Sequence, residues 1–340
     1  MPPARKLPPL VNTSTVWRYS WHAVALAEEV TRSAPRQVWV AGEPWVLTRL
    51  DGRLAAFADR CPHRLAPLSA GQVVTAGDGT DRLACGYHGW RYDSTGRCDL
   101  IPALGRAGGV GKRAVLRPAY GVTEAYGLVW LAPEEPLAPL PVFAEWEAPG
   151  FGQARSRVMR TRAGAGQLVD NFLDAAHFPF VHAATFGVPD GEPLEAGDVA
   201  TEGLAVSAVF VTSYRDGGEV VSHRVTKTAG PSGTAHVRLE LPHVTIGILL
   251  TCLPEDSGST RVFKLITRDD LGGDPGRMES FIKEEDRILE EDLAILERYP
   301  SPELPLDPRA EVHTRVDRLS LAWRHVMADA VTRTAPGAQS

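Results

Sequence analysis

With 340 residues, 44% of them hydrophobic and 23% charged, the chain is long enough for about two domains and a sizeable buried core. Its 36 basic and 42 acidic residues leave a net charge of −6, which argues against nucleic acid or an anionic membrane as the main partner. The opening MPPARKLPPL holds no apolar stretch of the secretory kind, and no later run is long enough to span a bilayer, so a cytoplasmic protein without membrane contact is expected.

Residues 1–15 are rich in proline and polar side chains and read as an arm. From 16 to 135 the chain reads as short strands, at Gln37–Val40, Trp45–Arg49, Leu54–Phe57 and Gly127–Leu131, separated by turns such as Asp51-Gly52. That pattern predicts a small antiparallel β domain. Residues 136–150 carry Pro136, Pro139, Pro141 and Pro149 and read as a linker without regular structure. From 151 to 340 a second domain is expected. It opens with a helical segment at about 164–183 and continues with alternating runs at Leu204–Tyr214, Val220–Thr228, Ala235–Leu250 and Arg261–Thr267. Helices follow at roughly 276–299 and 311–331. Strands followed by helices predict an α+β domain, a sheet with helices packed on one face.

Two pairs of metal-ligating residues stand out in the first domain, Cys61-Pro62-His63 and Cys85-Gly86-Tyr87-His88, on either side of the 21 residues 64–84. Each falls at a strand end among turn residues, where a tight loop can present a thiolate and an imidazole. Two Cys and two His suit a tetrahedral zinc ion. They equally suit a [2Fe–2S] cluster with thiolates on one iron and imidazoles on the other. Cys98 and Cys252 stand in no ligand motif and read as small buried side chains. Four cysteines in a chain of this length do not make a disulfide framework.

The flanking residues carry more information than the ligands. His63-Arg64-Leu65-Ala66-Pro67-Leu68-Ser69-Ala70-Gly71 and Gly86-Tyr87-His88-Gly89-Trp90-Arg91-Tyr92 resemble the two cluster-binding loops of Rieske domains, a resemblance that covers residues 37–131. It implies a [2Fe–2S] cluster held by Cys61, His63, Cys85 and His88 rather than zinc. The gap between the loops is longer than the family pattern, with Gly77–Asp81 reading as a loop insertion. Respiratory Rieske domains carry an extra, disulfide-joined Cys in each loop. Here residues such as Tyr87 take those places, which resembles the low-potential oxygenase type, near the bottom of a range of about −150 to +300 mV.

The second domain packs two His and two Asp into the 13 residues 170–182, with the order Asn171-x-x-Asp174-x-x-His177-x4-His182. Asp174 and His177 are three apart and predicted to share a helix face. His177 and His182 are five apart, which an ideal helix splays by about 140°, so Pro179 is expected to break the helix and turn both rings toward one point. Two imidazoles and one carboxylate on one face of an iron leave positions open for dioxygen. On a helical wheel of the 276–299 helix, Asp292 falls near the centre of the apolar arc, where a carboxylate is costly unless paired or metal-bound. Glu285 falls nearby and is the reserve choice.

With this, the whole pattern resembles the α subunit of Rieske non-haem iron oxygenases, in the branch of vanillate O-demethylase and dicamba monooxygenase. In that family the late Glu-Asp-x-x-Ile-Leu-Glu motif supplies the third iron ligand, and Glu291–Glu297 matches it at Asp292. The resemblance implies an N-terminal all-β Rieske domain and an α+β catalytic domain of helix-grip (START-like) fold. It implies one mononuclear Fe(II) per chain on His177, His182 and Asp292, with Asp174 and Asn171 supporting catalysis. It further implies a separate ferredoxin or flavin reductase as electron donor and a homotrimeric ring in which Asp174 bridges His88 of one chain to His177 of the next. The activity implied is insertion of oxygen from O2 into a small aromatic substrate, by monooxygenation, hydroxylation or O/N-demethylation. Phe178, Phe180, Phe186 and His243 are candidate substrate contacts. Two rival readings are a Rieske electron carrier fused to a hydrophobic-ligand binding domain without catalytic iron, and a plastid-type pigment oxygenase.

Overall fold

The computed structural model describes residues 7–105, 113–186, 197–216, 219–271 and 274–335. They form two compact units, one of residues 18–136, the other of residues 137 onward joined by the segment that ends at Trp17.

The 18–136 unit is built of short antiparallel strands in three sheets. β1 (His22–Leu26) pairs with β10 (Leu128–Ala132), which pairs with β9 (Gly121–Ala125). β2 (Arg36–Val40), β3 (Glu43–Leu50) and β4 (Arg53–Ala58) form a meander joined by the turns at Ala41-Gly42 and Asp51-Gly52. β5 (Gln72–Thr75), β6 (Asp81–Ala84), β7 (Arg91–Tyr92) and β8 (Cys98–Leu100) form a second meander. Its core gathers Val46, Leu50, Phe57, Leu68, Leu83, Tyr92 and Leu116 around Cys61 and Cys85. The 77–81 insertion lies at the tip of the β5–β6 hairpin, where Ala76 N–H donates to Thr80 O and Gly79 takes φ +83°.

The other unit is one eight-stranded antiparallel sheet with helices packed on it. Its strands are β11 (Gly152–Arg155), β12 (Met159–Thr161), β13 (Asp198–Glu202), β14 (Ala205–Asp216), β15 (Glu219–Ala229), β16 (Thr234–Leu241), β17 (Val244–Asp256) and β18 (Ser259–Arg268). They run β11-β18-β17-β16-β15-β14-β13, with β12 beside β11 on β18. The helices are α1 (Ala144–Glu147), α2 (Ala165–Leu173), α3 (Phe178–Val181), α4 (Ala183–Phe186), α5 (Pro275–Leu296) and α6 (Arg318–Arg333). α2 packs on β16, β17, α5 and α6.

Three sequence expectations need correction. The proline-rich stretch after 136 does hold one helical turn, α1, because Phe143 and Glu145 are buried against the sheet and Glu145 meets His236 and Arg238 on β16. The run 235–250 is two strands, since Pro242, which has no N–H for a ladder, and His243 make a turn. The last helix starts at Arg318, after a single 3-10 turn at Arg315–Asp317. The described part of the expected arm is tied down: Leu10 exchanges backbone hydrogen bonds with Leu304, and Asn12 bonds Thr260 Oγ1, Ser259 O and the Ala165 N–H at the start of α2.

Candidate functional site

The two loops of the β unit share one construction. In the first, Cys61 N–H donates to Ala66 O and Leu65 N–H returns to Cys61 O; in the second, Cys85 N–H donates to Trp90 O and Gly89 N–H returns to Cys85 O. The fourth residue after each cysteine carries the positive φ that closes the turn, Leu65 at +59° and Gly89 at +68°. Both thiols are buried, and the rings of His63 and His88 lie 4.5 Å apart at the loop tips, His63 stacked on Trp90. His63 Nδ1 is buried and has no hydrogen-bond partner among the described residues, as suits a nitrogen whose lone pair is kept for a metal. The Tyr92 hydroxyl stands 3.0 Å from Cys61 Sγ. Burial pushes the Cys61 thiol and the Tyr92 phenol upward, so a thiolate there calls for a metal or a donor such as that hydroxyl. The loops are also pressed together: a Cβ on Gly71 would lie 2.0 Å from Ala84 O, and one on Gly86 2.4 Å from Ala70 O.

The second site stands on α2, α3 and α5. α2 ends at Asp174, whose carboxylate accepts the backbone N–H groups of Ala176 and His177. This turn breaks the helix before Pro179, which lies in the first turn of α3, where proline fits. The expected break is therefore real but set by Asp174, and Asp174 and His177 face each other across a turn rather than along one helix. His177 Nδ1 lies 2.7 Å from Asp174 Oδ2, and His182 Nδ1 2.9 Å from Glu291 Oε2. With both Nδ1 atoms held by carboxylates, both Nε2 atoms face Asp292 Oδ1, at 3.4 and 3.1 Å. The potential ligand atoms of His177, His182 and Asp292 lie within 4.8 Å of one another, a donor set and spacing that fit a divalent iron. Burial opposes ionisation of Asp292, yet hydrogen bonds and charge from the two imidazoles hold it at about 2. His177 is raised against its burial by Asp174 and Asp292. Asn171 Nδ2 donates to Asp292 Oδ1 at 3.4 Å.

On α5, Glu285, Leu289, Asp292 and Leu296 form the inward stripe. Glu285 is fully employed elsewhere, in a buried pair with Lys264 Nζ at 3.1 Å. A cavity of about 610 Å³ opens beside Asp174, His177 and Asp292, and Tyr299, Glu311 and Val312 line its outer part.

The substrate candidates divide. Phe178 packs on both ligand rings, with centroids 4.8 Å from His177 and 5.8 Å from His182. Phe180 is 73% exposed. His243 is also exposed, at the β16–β17 turn, because the strand expected to carry it ends at Leu241; it is not brought to the metal ligands. Phe186 ends α4, and its side chain lies outside the described residues. Sequence reasoning missed Glu291 and Lys227. The signal for Glu291 was its place directly before Asp292. For Lys227 it was strand alternation, which puts an ammonium inward between Val225 and Ala229. Lys227 Nζ donates to Phe172 O and Asp174 O, both at 2.7 Å, and burial lowers it to about 8 against the pull of Asp174 and Asp292.

Comparison with known proteins matches residues 20–120 to the Rieske [2Fe-2S] domain and residues 161–333 to the vanillate O-demethylase oxygenase C-terminal domain. The chain is 29% identical over 339 residues to methylxanthine N3-demethylase NdmB of Pseudomonas putida, across 94% of this chain and 91% of that protein. The solved structure of NdmB from Pseudomonas putida CBB5 superposes with a TM-score of 0.78 at 25% identity, over 95% of this chain and 98% of its own. Dicamba monooxygenase bound to 3,6-dichlorosalicylic acid shares the fold at a TM-score of 0.79 and 22% identity, over 94% and 98% of the two chains. With a Rieske domain ahead of a vanillate O-demethylase-type iron domain, the chain belongs to the Rieske non-haem iron oxygenases, in the branch of vanillate O-demethylase and dicamba monooxygenase.

Proposed function

We propose that this oxygenase is the terminal component of a demethylating or hydroxylating system for a small aromatic substrate, fed by a separate ferredoxin or flavin reductase and acting in the cytoplasm. The observation that carries it is the buried convergence of His177, His182 and Asp292 beside an open cavity, in a chain that also carries both cluster loops. Cys61, His63, Cys85 and His88 would hold the cluster, and His177, His182 and Asp292 the iron. Together these would supply the two electrons and the dioxygen chemistry for placing one oxygen atom in a substrate C–H bond, the other leaving as water with two protons. Where that carbon carries oxygen or nitrogen, the product falls apart to a demethylated compound and formaldehyde.

The chain's own residues prepare this. Asp174 and Glu291 fix the tautomer of His177 and His182 so that both Nε2 lone pairs point inward. Asn171 steadies Asp292. Phe178 closes one side of the ligand rings and keeps water from them.

The working unit is a head-to-tail ring of three chains, each cluster against the neighbour's iron site. Charge and shape support this reading. Arg60, Arg64, Leu65 and Tyr87 are exposed on and beside the cluster loops, and His88 is exposed between them. The cavity beside Asp174 is lined by Asp170 and Glu311, both paired with Arg324, and by Glu303 and Asp317, with Tyr299 and Val312 bare at its rim. In the ring Asp174 bridges His177 and the incoming His88. The second unit is read as a helix-grip fold, an antiparallel sheet closed by one long helix, α5.

The test is oxygen uptake and formaldehyde release with a generic reductase and a panel of aromatic acids, aryl methyl ethers and N-methyl heterocycles. Iron at three atoms per chain and substrate-dependent uptake are expected. Two irons per chain with no uptake on any substrate would mean an electron carrier instead.

A further inference from the structure

Lys227 is one of five lysines in the chain and is 3% exposed. It projects from β15 to the inner side of the sheet, where its ladder partner Val237 joins Val225, Ile246 and Ile248 in an apolar cluster. Half-buried Phe172, Phe210, Leu239 and Phe281 extend that cluster between the sheet and helices α2 and α5. The Lys227 ammonium lies 5.7 Å from the ring of Phe172, 5.1 Å from Phe178 and 5.9 Å from Phe210. Phe178 in turn packs on both iron-ligand rings. The ammonium therefore lies beside Phe178, between the iron-ligand rings and the apolar cluster.

An ammonium has three N–H donors. Two are spent on Phe172 O and Asp174 O. Among the described residues nothing accepts the third. Asp174 and Asp292 counter the charge from nearby, yet neither carboxylate accepts the third N–H, and a buried donor beside aromatic rings is costly to leave unmet. What a cation ringed by aromatic faces suits is an anionic or carbonyl oxygen on a flat ring that stacks among those faces.

We propose that Lys227 is a substrate-positioning residue whose third N–H takes an oxygen acceptor, carboxylate or carbonyl, on an aromatic substrate seated against Phe172 and Phe210. The assignment rests on the oxygenase reading above and narrows its substrate to rings that carry such an oxygen away from the reacting methyl group. Docked this way, the oxygen end is fixed at Lys227 and the opposite end of the ring is turned to the iron ligands.

Binding to the ferrous, cluster-loaded protein under nitrogen tests this without turnover, so it stands apart from any failure of oxygen uptake. Titration calorimetry with para-anisate, para-methoxyacetophenone and para-methylanisole compares a carboxylate, a carbonyl and a methyl group at one position. Wild-type protein is expected to bind one of the two oxygen-bearing probes about tenfold or more tighter than para-methylanisole, and which one it is identifies the acceptor. Lys227→Met, which keeps the length of the side chain, should erase that preference and leave para-methylanisole within about twofold. If the variant weakens all probes alike, Lys227 only holds α2 in place. If wild-type protein binds no oxygen-bearing probe more tightly than para-methylanisole, the proposal fails whether or not the variant folds.

Discussion

At the scale of single residues, the metal site depends on which carboxylate does what. Asp292→Ala removes the one oxygen ligand that both imidazoles face, so mononuclear iron and turnover should be lost while the reduced-cluster spectrum is kept, as metal analysis and electron paramagnetic resonance can show. Glu285→Ala should retain iron. It strands Lys264 in the core, however, and should cost about 3–5 kcal/mol in denaturant unfolding. Asp174→Asn takes no ligand from either metal, so both centres should load normally. What it removes is the charge that orients His177 and, in the proposed ring, would orient His88. Reoxidation of the prereduced cluster in a single turnover should slow by orders of magnitude, and wild-type rates would show that Asp174 only shapes its turn. His177, His182 and Asp292 were readable because ligand chemistry forces rare residue types into a short motif and onto an apolar helix face. Glu291 and Lys227 were harder, because a charged residue is pulled inward only by a partner that folding brings from a distant segment.

At the scale of elements, β2 to β4, β10 and β14 to β18 were legible from alternation and turn residues, whereas β1, β5 to β9 and β11 to β13, none longer than five residues, are too short to show a period. Other departures were local contests in which a buried contact won. α1 forms in a proline-rich stretch because Glu145 reaches His236 and Arg238 on β16, which hold it at about 2, below the ordinary 4.5, in spite of burial. Since the folded value is the lower one, the stabilisation is full above pH 4.5 and is lost as pH falls toward about 2. Glu145→Gln should thus destabilise the protein at neutral pH, by about 1–3 kcal/mol for a disturbed buried pair, and flatten the stability profile across that acid window. The cluster loops are equally demanding. Gly71→Ala would drive a methyl group into the Ala84 carbonyl, so the loops must part, and the variant should accumulate with little cluster absorbance.

For the whole molecule, the proposed ring would make catalysis a property of neighbours. Cys61→Ser disables the cluster and Asp292→Ala the iron, so each variant alone should be inactive. Co-expressed, they should form mixed rings if the proposed ring holds, in some of which a chain with a sound cluster precedes one with sound iron. About a quarter of the junctions in an equal mixture should then work, given random assembly. If electrons passed within one chain, the mixture would stay inactive.

The attachment of the first residues has a bearing on how the protein is made. Leu10 and Asn12 leave the ribosome well before their partners, which are Ser259, Thr260 and Leu304, and Ala165 at the head of α2. The strands of residues 18–136 have all their ladder partners among themselves and can close while synthesis continues. The segment around Leu10 and Asn12 is thus made before the 18–136 unit yet docks after it, since its partners at 259 and 260 must first emerge. A nascent chain stalled before residue 259 should leave that segment open to protease while the cluster loops are already folded.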